Sequence, residues 1–229
     1  MYFEVDFFIG IDQSINSTGI TFQVYGKTDS LLSKYGLLET HFYIVTGKDK
    51  LTKKEEKAQV TYKNFDYIKY NKKDTKTADN NHTVELYKTY NLMNISRKII
   101  GIISSYTKKY FVNDKINCYV CMEGVSYQSS NTSSIIELAG LNYLIRYDLI
   151  RYFNGGVMEA LQAYDKFELI VSPPAEIKKF ASGNGAAKKE VMIGLFEASH
   201  PNLYLIPKID DIADSYWMSE YVVNIYKRQ

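Results

Sequence analysis

The sequence predicts a mixed α/β protein, one β-sheet with helices on both faces. Three observations carry this. Two apolar stretches near the start are separated by a short polar turn, as in a hairpin. Later apolar strands are separated by stretches with helical spacing, so the chain changes from a hairpin group to strand–helix alternation. The chain has 229 residues and is 45% hydrophobic, enough for one sizeable core with an insertion.

Residues 7–12 form a nearly continuous apolar run ending in Asp12, the pattern of a buried strand. Residues 18–25 read as a second strand, with Thr18, Ile20, Phe22 and Val24 on one face. Asn16 and Ser17 suit the turn between them. A third strand is expected within Leu37 to Val45. Leu92, Ile95, Ile99, Ile102 and Tyr106 recur at three and four, which predicts a helix over 84–110. Ile116 to Met122 is the next strand and runs straight into Glu123. Residues 132–152 predict a helix with two apolar stripes: Ile135, Leu138, Leu141 and Ile145, then Ile136, Leu144 and Tyr147. One stripe packs on the sheet, and the other needs a second cover, for which a partner subunit and the 46–82 segment are the candidates. Phe167 to Val171 is a short strand stopped by Pro173 and Pro174. Short helices follow over 175–180 and 187–198, broken by Gly183-Asn184-Gly185, and a last helix runs from about Ile209 to Ile225.

Residues 46–82 differ in character, being rich in Lys, Asn, Thr and Asp with Tyr62, Phe65, Tyr67 and Tyr70 interspersed. They are expected to form a long, partly helical insertion or flexible loop. It is either a solvated surface segment or a basic strip with aromatics that stack on nucleic acid. Net charge is only +2, so any polyanion must be held by a local patch. Cys118 and Cys121 lie three apart in a strand and so point to opposite faces, which favours buried structural thiols over a metal or redox pair. No apolar run approaches the ~20 residues that span a bilayer, and the first residues show no basic segment followed by a secretory apolar core. A soluble, cytoplasmic protein with no membrane partner is expected.

Carboxylates stand at the ends of these elements. Asp12 and Glu123 each close an apolar strand, and Asp210, Asp211 and Asp214 open the last helix. Taken singly, Asp12 suits a turn and the helix acids suit the macrodipole. Asp211 and Asp214 are three apart and share one helix face. Two strand ends and one helix start can converge beside a sheet. Clustered carboxylates repel unless a cation sits among them, and all-oxygen ligands select a hard ion, Mg²⁺ or Mn²⁺. Two such ions can activate water and stabilise the leaving oxygen of a phosphodiester. Lys178, Lys179, Lys188 and Lys189 flank the glycine turn and can hold phosphates there.

Four segments in order resemble the motifs of RuvC-type Holliday junction resolvases. They are Ile9-Gly10-Ile11-Asp12-x-Ser14 with Thr18-Gly19, then "VCMEGV" (120–125), "PAEIKKFASGNGAAKKEV" (174–191) and "DDIADSYWMSEY" (210–221). The resemblance implies a ribonuclease H-like fold with a five-stranded mixed sheet, its first three strands antiparallel, in a single nuclease domain over 1–229. It implies a Mg²⁺-dependent endonuclease acting as a homodimer on four-way DNA junctions and leaving 5′-phosphate and 3′-hydroxyl ends. Asp12, Glu123, Asp211 and Asp214 would hold two metal ions, with Asp210 the competing choice for Asp211. Lys178 matches one family lysine and either Lys188 or Lys189 the other, while Tyr127 could serve as the wedge in the loop after Glu123. The 46–82 segment exceeds a minimal resolvase, a feature of longer phage and viral relatives. A branch- or flap-cutting nuclease and a non-catalytic junction-binding or ATP-binding module are the competing functions. The ATPase lacks its second lobe and adenosine motif here, and the binding-only module requires a missing acid.

Overall fold

The computed structural model describes residues 2–28, 35–110, 116–125, 132–153, 164–203 and 205–227. Six strands form one sheet: β1 (Tyr2–Asp12), β2 (Ser17–Thr28), β3 (Gly36–Thr46), β4 (Phe65–Lys69), β5 (Ile116–Glu123) and β6 (Tyr164–Ser172), in the order β4-β3-β2-β1-β5-β6. β1, β2 and β3 are antiparallel to their neighbours within that group. β4 pairs parallel with β3, and β5 and β6 extend the other side in parallel with β1. The C-terminal ends of β1, β3, β4, β5 and β6 therefore all lie at one end of the sheet, with the β1–β2 turn.

The sheet has six strands where five were expected, and β4 is the addition. Its sequence FDYIK alternates, with Phe65 and Tyr67 buried. Tyr62, Phe65, Tyr67 and Tyr70 are each at most 9% exposed, so the aromatics of this segment pack inward rather than present stacking faces. Phe65, Tyr67 and Tyr62 join Phe42, Ile44 and Phe196 in one cluster. The helix α1 (Lys53–Thr61) precedes β4 and starts at a capping box, Thr52 with Glu55.

Helices cover both faces. On one face α2 (Asn81–Tyr110) and α3 (Thr132–Phe153) seal a core of Phe7, Ile9, Ile11, Phe22, Val120 and Met122. The stripe of α2 is seated here through Ile95, Ile99, Ile102 and Tyr106. On the other face lie α4 (Pro174–Ser182), α5 (Lys189–Ser199) and α6 (Ile209–Tyr226), against Phe8, Tyr119 and Cys121 on one side and Phe42 and Ile44 on the other. Cys118 and Cys121 are free, buried and on opposite faces, as their spacing dictates. Of the second stripe of α3, Ile136 and Tyr147 are exposed, with Tyr143 and Ile150 beside them.

Candidate active site

Asp12 ends β1 and Glu123 ends β5. The β1–β5 ladder closes with Ile11 opposite Met122, so the two acids are the next residues of adjacent parallel strands. Side chains alternate along a strand. Phe7, Ile9 and Ile11 enter the α2–α3 core, so Phe8, Gly10 and Asp12 face α6. In β5, Cys118, Val120 and Met122 take the first face and Tyr119, Cys121 and Glu123 the second. Both strand-end acids thus lie on the face carrying α6, which supplies Asp211 and Asp214.

Two glycines let α6 approach the sheet backbone. A Cβ at Gly10 would lie 1.8 Å from the Ser215 carbonyl oxygen, and one at Gly19 would lie 2.1 Å from that of Asp211. The Ser219 hydroxyl donates to the Phe8 carbonyl at 2.9 Å, and the Thr21 and Ser215 hydroxyls bond at 2.9 Å. Ser17 donates to Asp211. These contacts fix the height of α6 against β1 and β2, and with it the two helix acids. Glu123, Lys178, Met192 and Asp214 line one small cleft of about 140 Å³. A larger groove of about 500 Å³ runs between α2 and α3 and contains none of the four acids.

The electrostatics follow from this crowding. Asp12 keeps some solvent access but is hemmed in by protein. Its carboxyl is held well above the usual range, first by burial and then by Asp214, Asp211 and Glu123, with Lys189 acting in the opposite sense. Asp214 is pushed up to about 6, chiefly by burial, with Asp210 and Asp211 adding and Lys189 and Lys178 opposing. Burial also raises Glu123, with help from Asp214 and against Lys178. Burial raises Asp211 in turn, against the bond from Ser17. Asp210 behaves differently: it pairs with Lys189, which holds it below the usual range despite burial. Asp211, not Asp210, is therefore the neighbour felt by Asp12.

The donor chemistry, three carboxylates around a fourth carboxyl that resists ionisation, fits a hard divalent cation. Among the described residues, no three His, Cys, Asp or Glu side chains stand as a formed metal cage. Of the four lysines, Lys178 and Lys189 act on the acids. Lys179 and Lys188 are exposed, and neither is among the main charges acting on the four acids. Lys188 occupies the N-cap of α5 and Lys189 opens the helix. Gly183, at φ +77°, closes α4 in the left-handed conformation and turns the chain toward α5. Tyr127 lies outside the described residues.

Two residues that sequence reasoning passed over complete the arrangement. Gln13 Nε2 donates to the Glu123 carbonyl oxygen at 2.9 Å, and Asn142 Nδ2 donates to the same oxygen at 2.8 Å. Both come from the α2–α3 side, so the strand end is gripped on one face while its carboxylate projects to the other. Asn142 is fully buried on α3 between Leu141 and Ile145. A polar residue on a core-facing stripe was the available signal.

No family model matches the sequence, and no curated protein does. Among solved structures, RuvC from Thermus thermophilus aligns over 98% of this chain and 95% of its own, at 13% identity and a TM-score of 0.45. T. thermophilus RuvC in complex with Holliday junction substrate aligns over the same shares, at 12% identity and a TM-score of 0.44. No helix among the described residues is long and apolar enough to cross a membrane.

Proposed function

We propose that this chain is a divalent-cation-dependent, structure-selective DNA endonuclease that resolves four-way junctions. One observation carries the reading: β1, β5 and α6 bring Asp12, Glu123, Asp211 and Asp214 into a single electrostatic cluster, centred on a carboxyl that burial and three acids keep from ionising. These acids fall in the first, second and fourth of the resolvase-like segments, and Lys178 and Lys189 fall in the third.

In this reading Asp12, Glu123, Asp211 and Asp214 hold Mg²⁺, with Mn²⁺ able to replace it. When bound, the ions supply activation of the attacking water and stabilisation of the leaving oxygen of a phosphodiester. The protein's own work is placement. β1 and β5 fix two acids by register, Gly10 and Gly19 fix the height of the other two, and Gln13 and Asn142 hold the Glu123 backbone. Lys178 and Lys189 balance the acids and face the phosphate. A junction with two strands to cut suits a homodimer. The stripe Ile136, Tyr143, Tyr147 and Ile150 on α3, each at least 46% exposed, is the surface that would pair.

The test is cleavage of a synthetic four-way junction, a flap and a linear duplex by purified protein with and without Mg²⁺. The wild type cuts the junction in Mg²⁺, and Asp12→Asn does not cut while still binding it. Wild-type cleavage by Asp12→Asn would overturn the assignment. Equal cleavage of flap and junction would replace resolution with general debranching.

A further inference from the structure

The 46–82 segment contains ten lysines and six acids in a chain of net charge +2, so the rest of the chain is net negative. Three of its six acids are engaged in local structure, while Asp49, Glu56 and Asp79 are exposed. Glu55 is buried, accepts from Lys48 at 2.5 Å and closes the capping box of α1. Asp66 bonds His41 at 2.9 Å, and Asp74 caps the 3-10 turn Thr75–Thr77. Lys53, Lys54, Lys57, Lys63, Lys69, Lys72, Lys73 and Lys76 remain exposed. The segment thus presents an excess of exposed lysines over exposed acids.

Its position is fixed by pairing. Ser17, the donor to Asp211, lies opposite Thr46, and Thr46 lies opposite Lys69 at the end of β4. Adjacent strands are about 4.8 Å apart, so Lys69 stands two strand spacings from Ser17, at the end of the sheet that carries the acids. The chain then continues across the β1–β2 turn. Tyr70 Oη donates to the Ile15 carbonyl at 3.3 Å, and Lys72 Nζ reaches Asn16 Oδ1 at 3.4 Å. Beyond, buried Asn91 of α2 holds Lys73 by both backbone groups, at 2.7 and 2.9 Å, and Asn94 holds the Asn71 carbonyl at 3.1 Å. Lys69, Lys72 and Lys73 are therefore set on a braced strip beside the turn that follows Asp12.

We infer that this strip is a second DNA-backbone surface, which grips the phosphates of a duplex arm leaving the cleavage site. The inference rests on the proposed nuclease reading and adds where the substrate lies. Buried aromatics and exposed lysines specify phosphate contact without base stacking, so the grip is independent of sequence.

The experiment compares wild type, the triple variant Lys69→Ala/Lys72→Ala/Lys73→Ala and a charge-matched control, Lys98→Ala/Lys108→Ala/Lys227→Ala, whose lysines lie along α2 and at the end of α6. Affinity for a four-way junction and for linear duplex is measured in Ca²⁺ across a salt series, with thermal unfolding as the check on folding. Loss of three phosphate contacts lowers the slope of log K against log salt by about 2 to 3 and weakens binding on the order of tenfold. The control stays near wild type. A strip variant that binds like wild type, or a control that weakens equally, overturns the inference and leaves the nuclease reading intact. A wild type that binds neither DNA overturns both.

Discussion

Two sets of carboxylates on opposite faces of the sheet are treated in opposite ways. On the α2–α3 face, Glu39 receives hydrogen bonds from Tyr110 at 2.6 Å and Tyr106 at 3.2 Å, and pairs with Lys109. Burial alone would raise it, but these donors outweigh burial and hold it below the usual carboxylate range. On the α6 face, Asp12, Glu123, Asp211 and Asp214 all lie above their ordinary range, with burial the first cause in each. Glu39 is a structural acid whose charge the fold satisfies. The other four are acids whose charge the fold opposes, the pattern that a bound cation in the proposed site would relieve.

Asp214→Asn is the sharpest way to break this comparison. Its carboxyl titrates at about 6 when folded against an ordinary 3.8. A raised carboxyl makes the folded state bind the proton more tightly than the unfolded chain does. Stability therefore falls as pH rises from about 4 to about 6 and then levels off. Removing the charge recovers up to about 3 kcal/mol above that range, read by urea unfolding in EDTA, while junction cleavage is lost. A destabilised Asp214→Asn would mean that the α6 face satisfies its acids after all.

Gly10→Ala probes the same face sterically and costs about 1–3 kcal/mol, because the nearest obstacle is helix backbone and not a side chain that can swing away. Cleavage falls further than stability, since Ser215 moves with Asp214. Glu39→Gln acts in the opposite sense to Asp214→Asn. A carboxyl held low contributes stability above its unfolded pKa and loses it as pH falls through the folded value. The variant costs about 1–2 kcal/mol at neutral pH, discounted for the exposed Lys109, and the gap to wild type closes in acid. The smallest expected change in stability is that of Asn142→Ala, about 1 kcal/mol, because Gln13 still serves the Glu123 carbonyl. Combined with Gln13→Ala, it costs more than the sum of the two single changes, and a double-mutant cycle reads the excess.

Much of the candidate site was legible because a carboxylate closing an apolar strand is a local contradiction. Asp12 and Glu123 announced themselves that way, and the three-residue step of Asp211 and Asp214 put them on one helix face. The strand periodicity that positions them was equally open, since Thr18, Ile20, Phe22 and Val24 are all buried. The sixth strand was not. Five residues of alternation in FDYIK are shorter than the polar, lysine-rich stretch around them, and only pairing with β3 shows that Phe65 and Tyr67 belong to a core. Which of Asp210 and Asp211 Lys189 engages was also hidden, since the pairing with Asp210 depends on where α5 begins. Asn142 was hidden for a third reason: its partner is a backbone oxygen nineteen residues away, and a carbonyl has no letter in the sequence.

That last contact has a mechanical consequence. Asn142 holds Glu123 from the inner side of α3, and the outer side of the same helix carries Ile136, Tyr143, Tyr147 and Ile150. A rigid helix is a lever. In the proposed reading, a partner on that outer side would bear on the strand end that carries Glu123 through a single amide.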